Sequence, residues 1–129
     1  DYAHHPKEII SVLKIVKQVT QNRKIISVFQ PHRYSRVKAL KEEFSKSFIS
    51  ADTVLLCPVY AAGEKKDNSY NFFSFASKIA KKSNVQVICV KNSQELENYL
   101  KRNLIDDEIV IGMGAGNISN WMRELKNNI

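Results

Sequence analysis

The chain is poor in the features that mark several large protein classes. No apolar run approaches the ~20 residues of a helical membrane span, and the apolar residues of the first 20 positions are interrupted by Ser11, Lys14 and Lys17. That excludes a bilayer-crossing helix and a secretory signal in this stretch. Only two cysteines occur in 129 residues, Cys57 and Cys89, each inside an apolar run. With no metal-like spacing to the three histidines, they exclude a disulfide scaffold and a zinc module. They read as small buried hydrophobes of a reducing, cytoplasmic compartment. Acidic residues are in deficit, 13 against 20 Lys and Arg, for a net charge of +7. A basic balance admits nucleic-acid partners, but the lysines are scattered over several predicted helices with no base-stacking aromatics between them. The pattern therefore argues for a solvated surface, with no nucleic acid and no membrane as partner. No GxxxxGK[ST] loop occurs anywhere, so the chain has no ATP phosphate loop of its own.

What is present is an alternation of strand and helix signals. Ile9, Val12, Leu13, Val16 and Val19 recur at helical steps from Pro6, which suits a first helical turn. Short runs rich in Val and Ile predict strands over residues 24–29, 53–57, 85–90 and 108–111. Helices are predicted over 34–50, with Val37, Leu40, Phe44 and Phe48 inward, over 70–82, from an N-cap at Ser93 with Leu96, Tyr99 and Leu100 inward, and over 118–126. A loop is expected over 59–69. Continuous apolar strands suit a parallel sheet buried on both faces, and right-handed crossovers put helices on both sides. The expected fold is therefore α/β, a doubly wound, mostly parallel sheet of about four strands, as one domain over residues 1–129. The chain opens directly on a chemical motif without an initiator methionine, which points to a piece of a longer protein.

Four segments carry chemistry. Gln30-Pro31-His32-Arg33-Tyr34-Ser35-Arg36 follows the first strand, where open α/β sheets place ligands. If Arg33 opens a helix, Arg33 and Arg36 share one face a turn apart. Two guanidinium forks at a helix N-terminus make a clamp for a small carboxylate or phosphate, although a solvated basic first turn reads equally well. Asp1-Tyr2-Ala3-His4-His5-Pro6 gathers a carboxylate, a phenol and two imidazoles; it suits either a polar substrate site or a capped helix start. Tyr60-Ala61-Ala62-Gly63-Glu64 follows the second strand, with Gly63 for a turn and Glu64 as a possible acceptor. Gly112-Met113-Gly114-Ala115-Gly116-Asn117 precedes the last helix, its glycines serving either anion approach or close helix–strand packing. Too few residues follow it for a dinucleotide site.

In this order, Asp1-Tyr2-Ala3-His4-His5-Pro6, Phe29-Gln30-Pro31-His32-Arg33-Tyr34-Ser35-Arg36, Tyr60-Ala61-Ala62-Gly63-Glu64 and Gly114-Ala115-Gly116-Asn117-Ile118 closely resemble the carboxyl-terminal, Rossmann-like domain of the Mur ligases, in the branch that adds L-alanine to UDP-N-acetylmuramate. The murein-peptide ligases share the opening segment but not the QPHRYSR pattern. The resemblance implies a three-domain enzyme of peptidoglycan synthesis, with ATP and magnesium held mainly by a central domain, and a fragment that is inactive alone. It implies that Arg33 and Arg36 hold the alanine carboxylate with His32 in support. Tyr2 and His4 would neighbour the forming amide, and Asp1 would contact ATP. Glu64, Gly114 and Gly116 would form the edge of the site. Lys7 and Val37 stand where the family often has threonine. A basic α/β binding module without enzymatic activity is the alternative from another class.

Overall fold

A computed structural model describes residues 1–128. The elements run α1 (Pro6–Val19), β1 (Ile25–Phe29), α2 (Tyr34–Ala39), α3 (Lys41–Ser45), β2 (Thr53–Leu56), α4 (Phe72–Ser83), β3 (Gln86–Cys89), α5 (Ser93–Asn103), β4 (Ile109–Met113) and α6 (Ile118–Asn128). The four strands form one sheet in the order β3-β2-β1-β4. Every pairing is parallel, with Ile26 opposite Thr53, Ile25 opposite Ile109 and Thr53 opposite Gln86.

Alternation along the strands builds two apolar layers. Ile25, Phe29, Val54 and Leu56 pack with Ile9 and Leu13 of α1, Val37 of α2, Phe44 of α3 and Phe75 and Ile79 of α4. Ile26, Val28, Leu55 and Cys57 pack with Leu96 and Leu100 of α5 and Ile118 and Leu125 of α6. Helices thus cover both faces, as the doubly wound α/β expectation requires. Burial on both faces holds for the central strands only: β1 is buried throughout, whereas β3 and β4, at the sheet edges, are in large part half-exposed. Cys57 is buried and Cys89 only half-buried; they belong to opposite layers.

Several boundaries differ from the sequence expectation, each for a local reason. The helix expected over 34–50 is two short ones joined at Leu40, whose backbone (φ −118°, ψ 23°) closes α2 and opens α3. It does not reach residue 50, because the Phe48 N–H goes to the Ser83 hydroxyl (3.1 Å), and the Ser45 and Ser47 hydroxyls take the Lys41 and Glu43 carbonyls. Such serine bonds compete with the helical ladder. Helix α4 begins at Phe72, not residue 70, because the Asn71 side chain accepts the Ser74 N–H at 2.9 Å. Asn92, not Ser93, caps α5 by accepting from Glu95 N–H at 2.9 Å. Strand β4 extends through Gly112 and Met113, which sit opposite Val28 and Phe29.

Candidate active site

The strand order sends the first crossovers from β1 toward β3 and the last one back to β4. The sheet therefore has its switch point between β1 and β4, where doubly wound sheets hold ligands beyond the carboxyl ends of the strands. Gln30 leaves β1 with its N–H on the Met113 carbonyl at 3.0 Å. Beyond Pro31 the extensions of β1 and β2 remain paired, with His32 opposite Tyr60. The Tyr60 N–H donates to Pro31 O and the Arg33 N–H to Tyr60 O, both at 2.8 Å.

That pairing decides where the arginines sit. Arg33 does not open the helix: it precedes it as the N-cap, at φ 70° and ψ 132°. A non-glycine residue in that region costs on the order of 1–3 kcal/mol and persists where the surroundings over-determine it. Only Arg36 rides on α2. Its Nη1 is buried without a hydrogen-bond partner. Among the described residues neither arginine takes part in an ion pair.

An aromatic ladder runs beside them. The Tyr2 and His4 rings meet edge-on at 5.1 Å, His4 and His32 at 5.9 Å, and His32 stacks on Tyr60 at 5.6 Å with the planes 20° apart. His4 Nδ1 lies 2.9 Å from the Tyr2 carbonyl. His32 Nδ1 is buried and unpartnered. Burial, and then the positive charge of Arg36, His4 and Arg33, holds the His32 pKa below 6.5, opposed only by Glu64. The surroundings thus favour the neutral form of the His32 imidazole. Tyr2, 70% exposed, is free to meet a substrate.

Of the two readings of the opening segment, the structure bears out the capped helix start. His5 and Glu8 form a capping box on α1, and Asp1 Oδ1 accepts the Ala3 N–H at 2.8 Å. Tyr2 and His4 join the site. Glu64 also reaches it, but as a brace. Its carboxylate accepts the Ser35 N–H at 3.2 Å and the Ser35 hydroxyl. Those bonds, the hydroxyl first, and the nearby Arg33 hold its pKa low.

The glycine turn closes the far side. At Gly114 (φ 155°) a Cβ would meet Gln30 O at 2.9 Å; at Gly116 it would meet Tyr60 Cγ at 2.5 Å. Asp1, Tyr2, Gly112, Gly114, Gly116 and Met122 are among the residues lining a cleft of about 720 Å³. Sequence reasoning placed Gln30 near the arginines without giving it work. Its buried amide ties β1 to α6, donating to Asn117 Oδ1 and accepting the Ile118 N–H at 3.2 Å. A glutamine wedged between an apolar strand and a proline was the available signal. Among the described residues no group of three or more His, Cys, Asp or Glu is arranged to hold a metal.

Comparison with known proteins agrees with this fold. The model of the family described as "Mur ligase, glutamate ligase domain" matches residues 1–116. The UDP-N-acetylmuramate–L-alanine ligase of Pelagibacter ubique is 49% identical over 125 residues, covering 97% of this chain and 27% of that protein. The chain thus spans about a quarter of the length of this relative. The solved UDP-N-acetylmuramate–alanine ligase of Thermotoga maritima superposes with a TM-score of 0.76 at 28% identity, over 99% of this chain and 25% of that one. A murein peptide ligase of Psychrobacter arcticus, with a TM-score of 0.75 at 14% identity over 98% of this chain and 26% of that one, shares the fold.

Proposed function

Since the chain belongs to the Mur ligase family, we propose that it is the carboxyl-terminal, amino-acid-binding domain of a three-domain ligase joining L-alanine to UDP-N-acetylmuramate. In that reaction ATP supplies the phosphoryl group that activates the muramic carboxylate. The alanine amine attacks the activated carbonyl carbon, the C–N bond forms, and phosphate leaves.

This chain's part is to bind and orient. Arg36 and Arg33 receive the alanine carboxylate through charge-assisted hydrogen bonds. His32, neutral beside them, adds a ring nitrogen without adding charge. His4 and Tyr2 lie next along the ladder, where the amine of a carboxylate-anchored amino acid would sit. Asp1 Oδ1 is taken by Ala3 N–H; the other carboxylate oxygen suits a sugar hydroxyl of ATP at the mouth of the cleft. The Gly114 and Gly116 backbone forms the cleft's edge, and Glu64 steadies the arginine turn. Bringing three substrates into one geometry is the main source of acceleration in such a reaction, and closure of this domain over the others would exclude water.

One observation carries the reading. Arg36 has a buried guanidinium nitrogen without a hydrogen-bond partner, beside a second arginine in a strained turn, and among the described residues no acidic residue pairs with either. Replacing Arg33 with Ala in the intact enzyme is expected to raise the alanine KM about tenfold or more, the worth of a hydrogen bond to a charged group. The KM for the nucleotide sugar should hardly move. An alanine KM unchanged by the substitution would refute the clamp.

A further inference from the structure

Tyr60 touches three parts of the site. Its backbone pairs with Pro31 and Arg33. Its ring stacks on the His32 imidazole. The same ring lies against Gly116, where a Cβ would come within 2.5 Å of Tyr60 Cγ and 2.8 Å of Cδ1. Gly116 does not have a positive φ, unlike Gly63 and Gly114. Glycine at 116 therefore answers a need for space, and that space is filled by the Tyr60 ring together with the Gln30 Oε1, 2.7 Å from a Cβ placed there. The ring is 38% exposed, too open to be a core side chain. Its two faces of contact are the glycine turn and an imidazole whose Nδ1 is buried and unpartnered.

We propose that Tyr60 is a positioning residue for the amino-acid site: its ring, backed by the Gly116 backbone, holds the His32 imidazole in the one orientation that faces the substrate between the arginines and His4. This rests on the clamp reading above. Nothing is asked of the phenol oxygen; the work is done by the face of the ring. Small losses of alignment in such a supporting contact reach the substrate as large losses of binding.

The test uses the full-length ligase carrying this domain, as wild type, Tyr60→Leu, Tyr60→Phe and Gly116→Ala. Tyr60→Leu is expected to raise the alanine KM about tenfold, with the ATP and nucleotide-sugar KM values within about twofold. Tyr60→Phe should rescue the loss, since it keeps the ring. Gly116→Ala should raise the alanine KM in the same selective way, because its Cβ crowds the ring as well as the Gln30 Oε1. Equal losses for Phe and Leu would assign the effect to the hydroxyl and overturn the proposal. So would an unchanged alanine KM in folded Tyr60→Leu, or a uniform fall for all three substrates. Should Tyr60→Leu fail to fold, Gly116→Ala decides by the same criteria.

A second measurement needs no substrate. In NMR spectra of the 129-residue chain, the His32 ring protons should lose the ring-current shift of Tyr60 in Tyr60→Leu and keep it in Tyr60→Phe. Unmoved His32 resonances in Tyr60→Leu overturn the stacking role. A wild-type ligase that does not consume alanine would refute the ligase reading, while the His32 resonances would still judge the contact between the two rings.

Discussion

His32 is surrounded by Arg36, His4 and Arg33, with Glu64 the only opposing charge. Burial and these cations disfavour its protonated form, so the folded chain binds the His32 proton more weakly than the unfolded chain does. The stability this group contributes is present above pH 6.5 and is lost as the pH falls from there toward the folded pKa. An NMR titration of the free chain should give a His32 midpoint below 6.5, and a carboxylate bound between the arginines should move it upward. A midpoint at or above the ordinary value would contradict the cluster. The cysteines make the opposite case. Burial pushes the Cys57 thiol up to about 12, so Cys57 is a packing group, as its apolar context in the sequence indicated; Cys89, in the other layer, is only half-buried. Arg36 could be placed from its spacing. Arg33 could not, because its conformation is dictated by backbone pairing to Tyr60, 27 positions on.

At the scale of elements, propensity and periodicity placed every strand and every helix except the pair α2 and α3, which they read as one, but not their ends. The ends depend on which side chain captures an orphan N–H. Asn71, Asn92 and His5 do so here, and each sits next to another plausible cap or start. Asn71→Ala removes the acceptor of the Ser74 N–H and should destabilise the chain by about 1 kcal/mol, measured as a lower denaturant midpoint at unchanged slope. No change would mean that α4 is held by its packing against β3 and α3 alone. The break after Ser45 was less legible. It requires Ser83, from α4, to supply the hydroxyl that takes the Phe48 N–H, and no local pattern announces a partner that distant. Glu64 is similar: a loop carboxylate became a brace because α2 starts within its reach.

For the whole molecule, some of the basic residues are held in dispersed ion pairs while the net charge stays at +7. Lys46, Lys78 and Lys82 converge on Glu42, Lys17 meets Asp52, and Lys101 meets Glu97. The other lysines are scattered along the sequence over several helices with no base-stacking aromatics between them, a pattern unlike one built to draw a nucleic-acid backbone. The isolated chain should therefore show little binding to duplex DNA at moderate salt. A tight affinity falling steeply with salt concentration would favour the binding-module alternative over the ligase. By the same reading the isolated chain should release no phosphate from ATP in the presence of alanine and UDP-N-acetylmuramate, whereas the full-length enzyme should.

The amino-acid sequence by itself determined the alternation of short apolar strands with amphipathic helices, hence the parallel sheet, and it determined the four motifs and their order, because those are properties of neighbouring residues. Tertiary structure decided which motif residues meet. The strand order put β1 beside β4, so that Gln30 reaches α6 and Tyr60 fills the space at Gly116. Pairing beyond Pro31 set Arg33 off the helix, and burial and nearby positive charge lowered the His32 pKa. Each of these depends on groups far apart in the chain being brought within a few ångströms, which local preference cannot encode.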